Sequence, residues 1–501
     1  MTARPLAGPG EAAEPWPPPD WFRAPDRSQD PVSPDWMAPG TQDRVAQFRT
    51  DQPGTAHPLA ARFPAGEFPA EESRLALART EVRQALGRVA WPWWVLWPWA
   101  VAWVAFQAGM AGQSWHFFAQ GGRLLFANAP GAGLRLYAAH PDLQIGPLAL
   151  AVSSVFRALG PGNGESTAIA AMSLTGPLML AAVWRLVPTA ERRRRSRLLF
   201  AGLLFLPVWT ELTTHFAHLD DLLALGFSVA ALHAVNRRHP VWAGLALAAA
   251  VDAKPWAAAF VVLLLALPRR QWLAALGAFA GGIAVVWLPF LLADPRTLAV
   301  VHFTIPNDRS SALRVLGVMA ARTPWWDRSA QLLLGVAGGA VAIWRGRWPA
   351  VLLVALAVRI MLDPGVYAYY TSGALLGTIV VDLVVTRWRL PWATATAAIL
   401  LYAARFTHAL VPFSLHQLGI LRLVFAIGLP VVILGIPGWW LARRPGRHAR
   451  NRQAHAAAPQ WIAAGQLHVP QSTVRRAAWP TSGRGELQVG QRGPRPGMLS
   501  Q

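Results

Sequence analysis

The sequence predicts an all-α fold, a polytopic membrane bundle of about 12 spans with a re-entrant or interfacial segment in its first outer loop. Three observations predict it. Hydrophobic residues make up 54% of the 501 and charged residues only 14%. The apolar residues come in long blocks, many of them close to the roughly 20 residues a helix needs to cross a bilayer. The positive charge, formally +21 net, sits in short loops between blocks and in two tails, as cytoplasmic loops do. That placement argues against a nucleic-acid surface. With no cysteine, disulfides, thiolate catalysis and cysteine-held metals are excluded.

Taken in order, residues 1–75 are Pro-rich and aperiodic (PWPPPDWF, SPDWMAPG) and read as a disordered cytoplasmic arm. The transmembrane domain is expected over 76–441, after an amphipathic helix from about Ala70 to Val89. No secretory signal is expected, because the first apolar block begins near residue 91. That block, 92–112, is crowded with tryptophan (WPWWVLWPWAVAW), in keeping with an interfacial belt. The block 145–160 is short for a crossing. Counting it as one would put ERRRRSR outside, against the charge rule, so it is taken as non-crossing.

Further spans then fall at about 166–188, 198–215, 219–236, 241–252, 255–268, 272–293, 329–344, 349–363, 366–386, 391–411 and 418–441. The pair 241–252 and 255–268 is expected to be a hairpin dipping partway. The loops Arg237-Arg238, Arg269-Arg270, Arg345-Gly346-Arg347 and Arg387-Trp388-Arg389 come out cytoplasmic, and both termini with them. The last part, 442–501, reads as a disordered basic cytoplasmic tail with affinity for anionic lipid. The expected location is the plasma membrane.

Topology drawn from arginines alone places the other polar groups on the outer side. Asp220 and Asp221 adjoin between apolar runs, with His215 and His218 just before them. Ionised groups in a span cost about 2.5–3.5 kcal/mol and are usually functional. Helix capping needs only one aspartate. The pair could supply a base and hold a cation or a sugar hydroxyl. Lys254 is the only lysine, every other basic residue among the 46 being arginine. A compact ammonium there could meet a phosphate as a point charge, or could simply pair with Asp252.

Asp142 and His116 lie in the first outer loop, where Asp142 reads equally as a turn residue. Arg309 and Arg314, in the loop 294–328, could bind an anion. Tyr369 and Tyr370, with Tyr367, form either a sugar-stacking surface or an aromatic belt. No spacing amounts to a metal motif, and no cofactor is expected.

Three stretches carry a resemblance to a known family. They are the first outer loop with FFAQGGRLLF and GLRLY, then HFAHLDDLLALGFSVAAL, then RRHPVWAGLALAAAVDAKPWAAAFVVLLLALPRR. Together they resemble the polyprenyl-phosphate-dependent membrane glycosyltransferases of the GT-C class, above all the GT87-like mannosyltransferases. The resemblance implies an inverting hexosyltransferase facing the extracytoplasmic side. Its co-substrate would be a polyprenyl-phosphate sugar and its acceptor a glycan or glycolipid of the envelope. Membrane lipids would be its surroundings.

The resemblance also implies a basic aspartate at the start of the first outer loop, where this chain has Ser114. The base is then Asp142 or the Asp220/Asp221 pair, or the chain is a diverged, non-catalytic member. Lys254, Arg309 and Arg314 would face the donor phosphate, and His116, His218, Tyr369 and Tyr370 the substrate. The rival class is a transporter or flippase using the same charges as a relay. One-sided polar residues and the lack of a repeat argue against it.

Overall fold

The computed structural model describes residues 91–141, 143–160, 162–189, 192, 195–404 and 414–437. The chain divides into two units, Met1–Ala76 and Leu77–Gln501, and every described residue lies in the second. The expected arm, the amphipathic helix after it, the basic tail, Asp142 and Glu191, Arg193 and Arg194 of ERRRRSR lie outside the described residues.

The described residues are helical throughout, the one β feature being an isolated bridge between Pro306 and Arg322. Five helices are long and apolar enough to cross a membrane, and six shorter apolar helices accompany them. In chain order, α1 covers 91–107, α2 Trp115–Leu125 and α3 Pro147–Arg157. Eleven residues in α3 rise about 16 Å, half of a hydrocarbon core. The block expected not to cross is therefore too short to do so.

Then come α4 (Asn163–Leu186), α5 (Arg195–Thr210), α6 (Leu219–Asn236) and α7 (Pro240–Ala253). The arm after α7, expected as a second hairpin helix, winds instead as a 3₁₀ helix over Pro255–Ala266. At about 2 Å per residue, its 12 residues reach about 24 Å where an α-helix would cover about 18 Å. Helix α8 is Trp272–Ala293, α9 Asp327–Trp344, α10 Val351–Leu362 and α11 Tyr370–Val380. A short α12 (Trp392–Ala397) and the long α13 (Leu415–Gly435) complete the set.

Burial sorts these elements into a centre and a periphery. Nine of the 12 residues of α10 and ten of the 11 of α11 are buried, and 72% of the apolar window of α5 with its following turn is buried. In α8 only 11% is, and Leu273, Val285 and Leu292 stand exposed. An outer helix that is apolar all round faces lipid. Helix α7 packs between α6 and α8. A Cβ on Gly244 of α7 would lie 2.2 Å from the carbonyl oxygen of Ala275 in α8. Close backbone approach at a small residue is how helices adhere where lipid removes the hydrophobic drive.

Buried charges on the side of the arginine loops are used for fastening. Asp382 accepts from the Ala393 and Thr394 amides and the Thr394 hydroxyl, which ties the turn after α11 to the first turn of α12. Arg347 donates to the carbonyls of Ile433 and Ile436 at the end of α13.

Candidate active site

The site begins where α5 stops being regular. Pro207 sits inside α5 and cannot donate a ladder hydrogen bond. The helix then widens into a π turn over Glu211–His215, a form frequent at functional sites. Ala217 follows with φ of 50°, a conformation that costs a residue with a Cβ energy and that clusters where geometry matters. The carbonyls of Thr214, His215 and Phe216 have lost their helical donors. They accept instead from the amides of Gly112 (3.0 Å), Gln113 (3.0 Å) and Ser114 (2.9 Å). Ser114 is thereby fixed beside the turn that delivers His218.

His218 precedes α6, and Asp220 and Asp221 occupy the helix's first turn, where negative charge suits the dipole. His218 Nδ1 lies 2.7 Å from Asp220 Oδ1 and 3.0 Å from Asp221 Oδ2. The Tyr369 ring stacks on the imidazole at 3.8 Å, and Phe118 of α2 meets it edge-on at 5.7 Å. Asp220 Oδ1 also accepts from the Asp221 amide at 2.8 Å.

Lys254, in extended backbone between α7 and the 3₁₀ helix, donates to Asp220 Oδ2 and lies 3.6 Å from Asp221 Oδ2. Its ion pairs thus run to α6, not to Asp252. The hairpin that carries it is braced by the end of the first outer loop, where the Gly146 amide donates to Ala253 at 3.1 Å. A Cβ at Gly146 would stand 2.0 Å from the Asp252 carbonyl oxygen, so only glycine fits.

Asp221 continues the network. Its Oδ1 accepts from Trp256 Nε1 at 2.9 Å and from Arg359 at 3.3 Å. Arg359, on α10, is 7% exposed. Its guanidinium lies 4.2 Å from the Trp256 ring centre and 3.9 Å from that of Tyr370, a cation held by aromatic faces. Arg359 also pairs with Asp363 at 3.6 Å, and Arg328 reaches Asp363 at 3.5 Å. Four carboxylates, of Asp220, Asp221, Asp363 and Asp327, pair with three cations, Lys254, Arg359 and Arg328. Pairing of this kind is what allows charges to be buried at all.

His218 lies between the spans of α5 and α6. Burial pushes its pKa down, but the Asp220 charge and the hydrogen bonds to Asp220 and Asp221 outweigh this, so the pKa is raised above its ordinary value. Ligand atoms of His218, Asp220 and Asp221 lie within 4.8 Å of one another, close enough to share a cation. The cation these groups share in the structure is the Lys254 ammonium. Lysine's compact charge suits that position better than a planar guanidinium would.

Of the residues singled out from the sequence, the structure brings together Asp220, Asp221, Lys254, His218, Tyr369 and Tyr370. His116 sits on α2 with its ring 3.9 Å from that of Phe117. Arg309 is exposed on the loop after α8. Arg314 spends its nitrogens on the carbonyls of Asn307 (3.2 and 3.4 Å) and Met319 (2.9 Å), closing that loop. Asp142 lies outside the described residues. Sequence reasoning passed over Arg359 and Trp256. The first had a signal, an arginine inside the apolar run VLLVALAVRIML. The second had none, because Trp256 is one of 26 tryptophans.

Gly146, which braces the hairpin, and Asp363, which ends the central network, mark the limits of one stretch. Residues 146–363 match the model of glycosyltransferase family 87. This stretch is similar to family 87 glycosyltransferases. All of the ionic network lies within it, while Ser114, Phe118, Tyr369 and Tyr370 flank it. The match supports glycosyl transfer over transport. No curated protein and no solved structure matches the chain.

Proposed function

We propose that the family 87-like domain moves a hexose, mannose-type, from a polyprenyl-phosphate donor to a lipid-linked or envelope acceptor on the extracytoplasmic face of the plasma membrane. One observation carries the reading. A buried lysine, two carboxylates and an imidazole converge between the start of α6 and the hairpin, at the end of the spans away from the arginine loops. In an inverting displacement the acceptor oxygen attacks the anomeric carbon as the phosphate departs. The domain must take the acceptor's proton and steady the leaving phosphate's charge. The corner of His218, Asp220 and Asp221 offers the first service and Lys254 the second.

Lys254 is committed to both aspartates in this state, so an arriving phosphate must share it, and its charge would be supplemented by exposed Arg309. Tyr369 and Tyr370 offer ring faces beside the same corner. The cleft bounded by Asp221, Trp256, Arg359, Tyr369 and Tyr370 has room for about one water and not for a sugar ring. Substrate entry therefore moves the tyrosine segment.

The test is consumption of a radiolabelled polyprenyl-phosphate hexose by membranes containing the chain, with label appearing in a larger glycolipid. Lys254→Ala and Asp221→Asn, inserted at normal levels, should lose at least about tenfold, the scale of 1.4 kcal/mol in a barrier. Full activity in both variants would defeat the mechanism.

A further inference from the structure

If a carboxylate were the base, it would need an oxygen free to receive a proton; in this pair the one oxygen without a hydrogen-bond donor is Asp221 Oδ2, and it is buried beside His218 and Lys254. Asp220 Oδ1 accepts from the Asp221 amide and faces His218, while Oδ2 accepts from Lys254. Asp221 Oδ1 accepts from Trp256 and Arg359, and its Oδ2 lies 3.0 Å from His218 and 3.6 Å from Lys254. Carboxylates stabilised by this many donors and cations are weak bases. Ser114, fixed nearby by the hydrogen bond its amide donates to the Phe216 carbonyl, carries a hydroxyl whose protonated form is far too acidic to persist at neutral pH.

His218 differs from all of these. Its Nδ1 is engaged by both carboxylates, so the proton of the neutral ring resides there. Its Nε2 has no hydrogen-bond partner among the described residues. About 11% of the side chain stays exposed, and since both carboxylates cover Nδ1, the exposed share belongs to the rest of the ring. Tyr369 on its face and Phe118 at its edge fix the ring plane. The charged and titratable groups facing it are Asp220 and Asp221 from α6, Lys254 from the hairpin and Tyr369 from the segment before α11, with Arg359 behind Asp221.

We propose that His218 Nε2 is the atom that takes the acceptor's proton, with Asp220 and Asp221 as positioning residues. This rests on the glycosyl-transfer reading above. The bond from acceptor oxygen to anomeric carbon forms as the bond from that carbon to the phosphate oxygen breaks. The electron pair leaves with the polyprenyl phosphate, and the hydroxyl proton passes to Nε2. The resulting imidazolium is stabilised by the two carboxylates, and it returns the proton to water. Because the carboxylates raise the ring's pKa, the neutral form that can act as base gains population as pH rises.

The experiment uses membranes containing the full chain, a polyprenyl-phosphate [¹⁴C]mannose donor and the membranes' own glycolipids as acceptor. His218→Asn keeps a donor near the Nδ1 position and removes Nε2, so the corner stays folded. Its turnover should fall about 10²–10⁴-fold, the range for a lost general base, with donor KM within about threefold. The acidic limb of the wild-type kcat/KM profile should vanish, and added imidazole should restore part of the activity of His218→Ala. His302→Gln, at an exposed position that makes none of the network's contacts, serves as control. If His218→Asn keeps wild-type turnover, or keeps the same acidic limb, the proposal is overturned while the transfer reading stands. Wild-type membranes that transfer no mannose overturn both.

Discussion

Lys254 is held by two carboxylates in a place where water is scarce, and removing it should show how the charges depend on one another. Breaking a buried pair by deleting one partner typically costs about 3–5 kcal/mol, because the remaining charge is stranded. Lys254→Met should therefore lower the unfolding temperature in detergent sharply, by leaving Asp220 and Asp221 uncompensated. Adding Asp220→Asn should recover part of the loss without restoring transfer. A double variant no more stable than the single one would show that the pairs are not coupled.

His218 gives the same corner a pH signature. A raised folded pKa means that protonation stabilises the fold, in full below the unfolded value near 6.5 and progressively less as pH rises through the folded value. The stability gap between wild type and His218→Asn should accordingly narrow as pH rises above about 6.5. A gap that widens would contradict the arrangement of Asp220 and Asp221 around Nδ1.

Among the elements, the turn from α5 to α6 and the hairpin after α7 set the site. Ala217 tolerates φ of 50° because its side chain is a single methyl. A β-branched residue there is a genuine outlier, so Ala217→Val should reduce folded protein in size-exclusion profiles and abolish transfer. Gly146→Ala places a methyl 2.0 Å from the Asp252 oxygen. Overpacking of this kind costs about 1–3 kcal/mol, and here it should also tilt the hairpin and lower turnover more than stability. Unchanged turnover would mean that the hairpin position is set elsewhere.

These two elements also mark how far the sequence could be read. Asp220, Asp221, His218 and Lys254 were legible because each interrupts an apolar run, where a charge is costly enough to need a reason. Arg359 obeyed the same rule and could have been found by applying it evenly. The α5–α6 turn was not legible, since an alanine at positive φ and a π turn leave no mark in residue type. The 3₁₀ winding of Pro255–Ala266 was equally hidden, because WAAAFVVLLL suits either winding and neighbouring helices choose between them. Nor could Arg314 be told from a ligand-binding arginine until Asn307 and Met319 were seen to occupy it.

For the whole molecule, the separation of arginine loops from the charged site predicts which ends of the helices share a compartment. The chain has no cysteine, so single cysteines at exposed Arg309 and Arg345 can be read without background. An impermeant maleimide on intact cells should label the first and spare the second until the membrane is opened. Equal labelling would overturn the assigned orientation. The lipid face of α8 can be probed in the same way. Val285 is 77% exposed, and arginine there meets a penalty of about 2.5–3.5 kcal/mol on insertion scales. Val285→Arg should lower the carbonate-resistant fraction, whereas the same change at exposed Trp344, beside the loop arginines, should be tolerated.

The solitary lysine has a practical consequence for anyone handling the chain. An acylating reagent has a single side-chain address among 501 residues, and that address sits at the heart of the ionic network. An amine clamped by two aspartates is protonated and nearly buried, so it should react slowly in the folded protein and quickly once the network is opened. The bond after it leads into Pro255, so a lysine-specific protease leaves the chain whole and the label within one long fragment. Mass gained on that fragment, with and without a donor lipid, would count occupied sites directly.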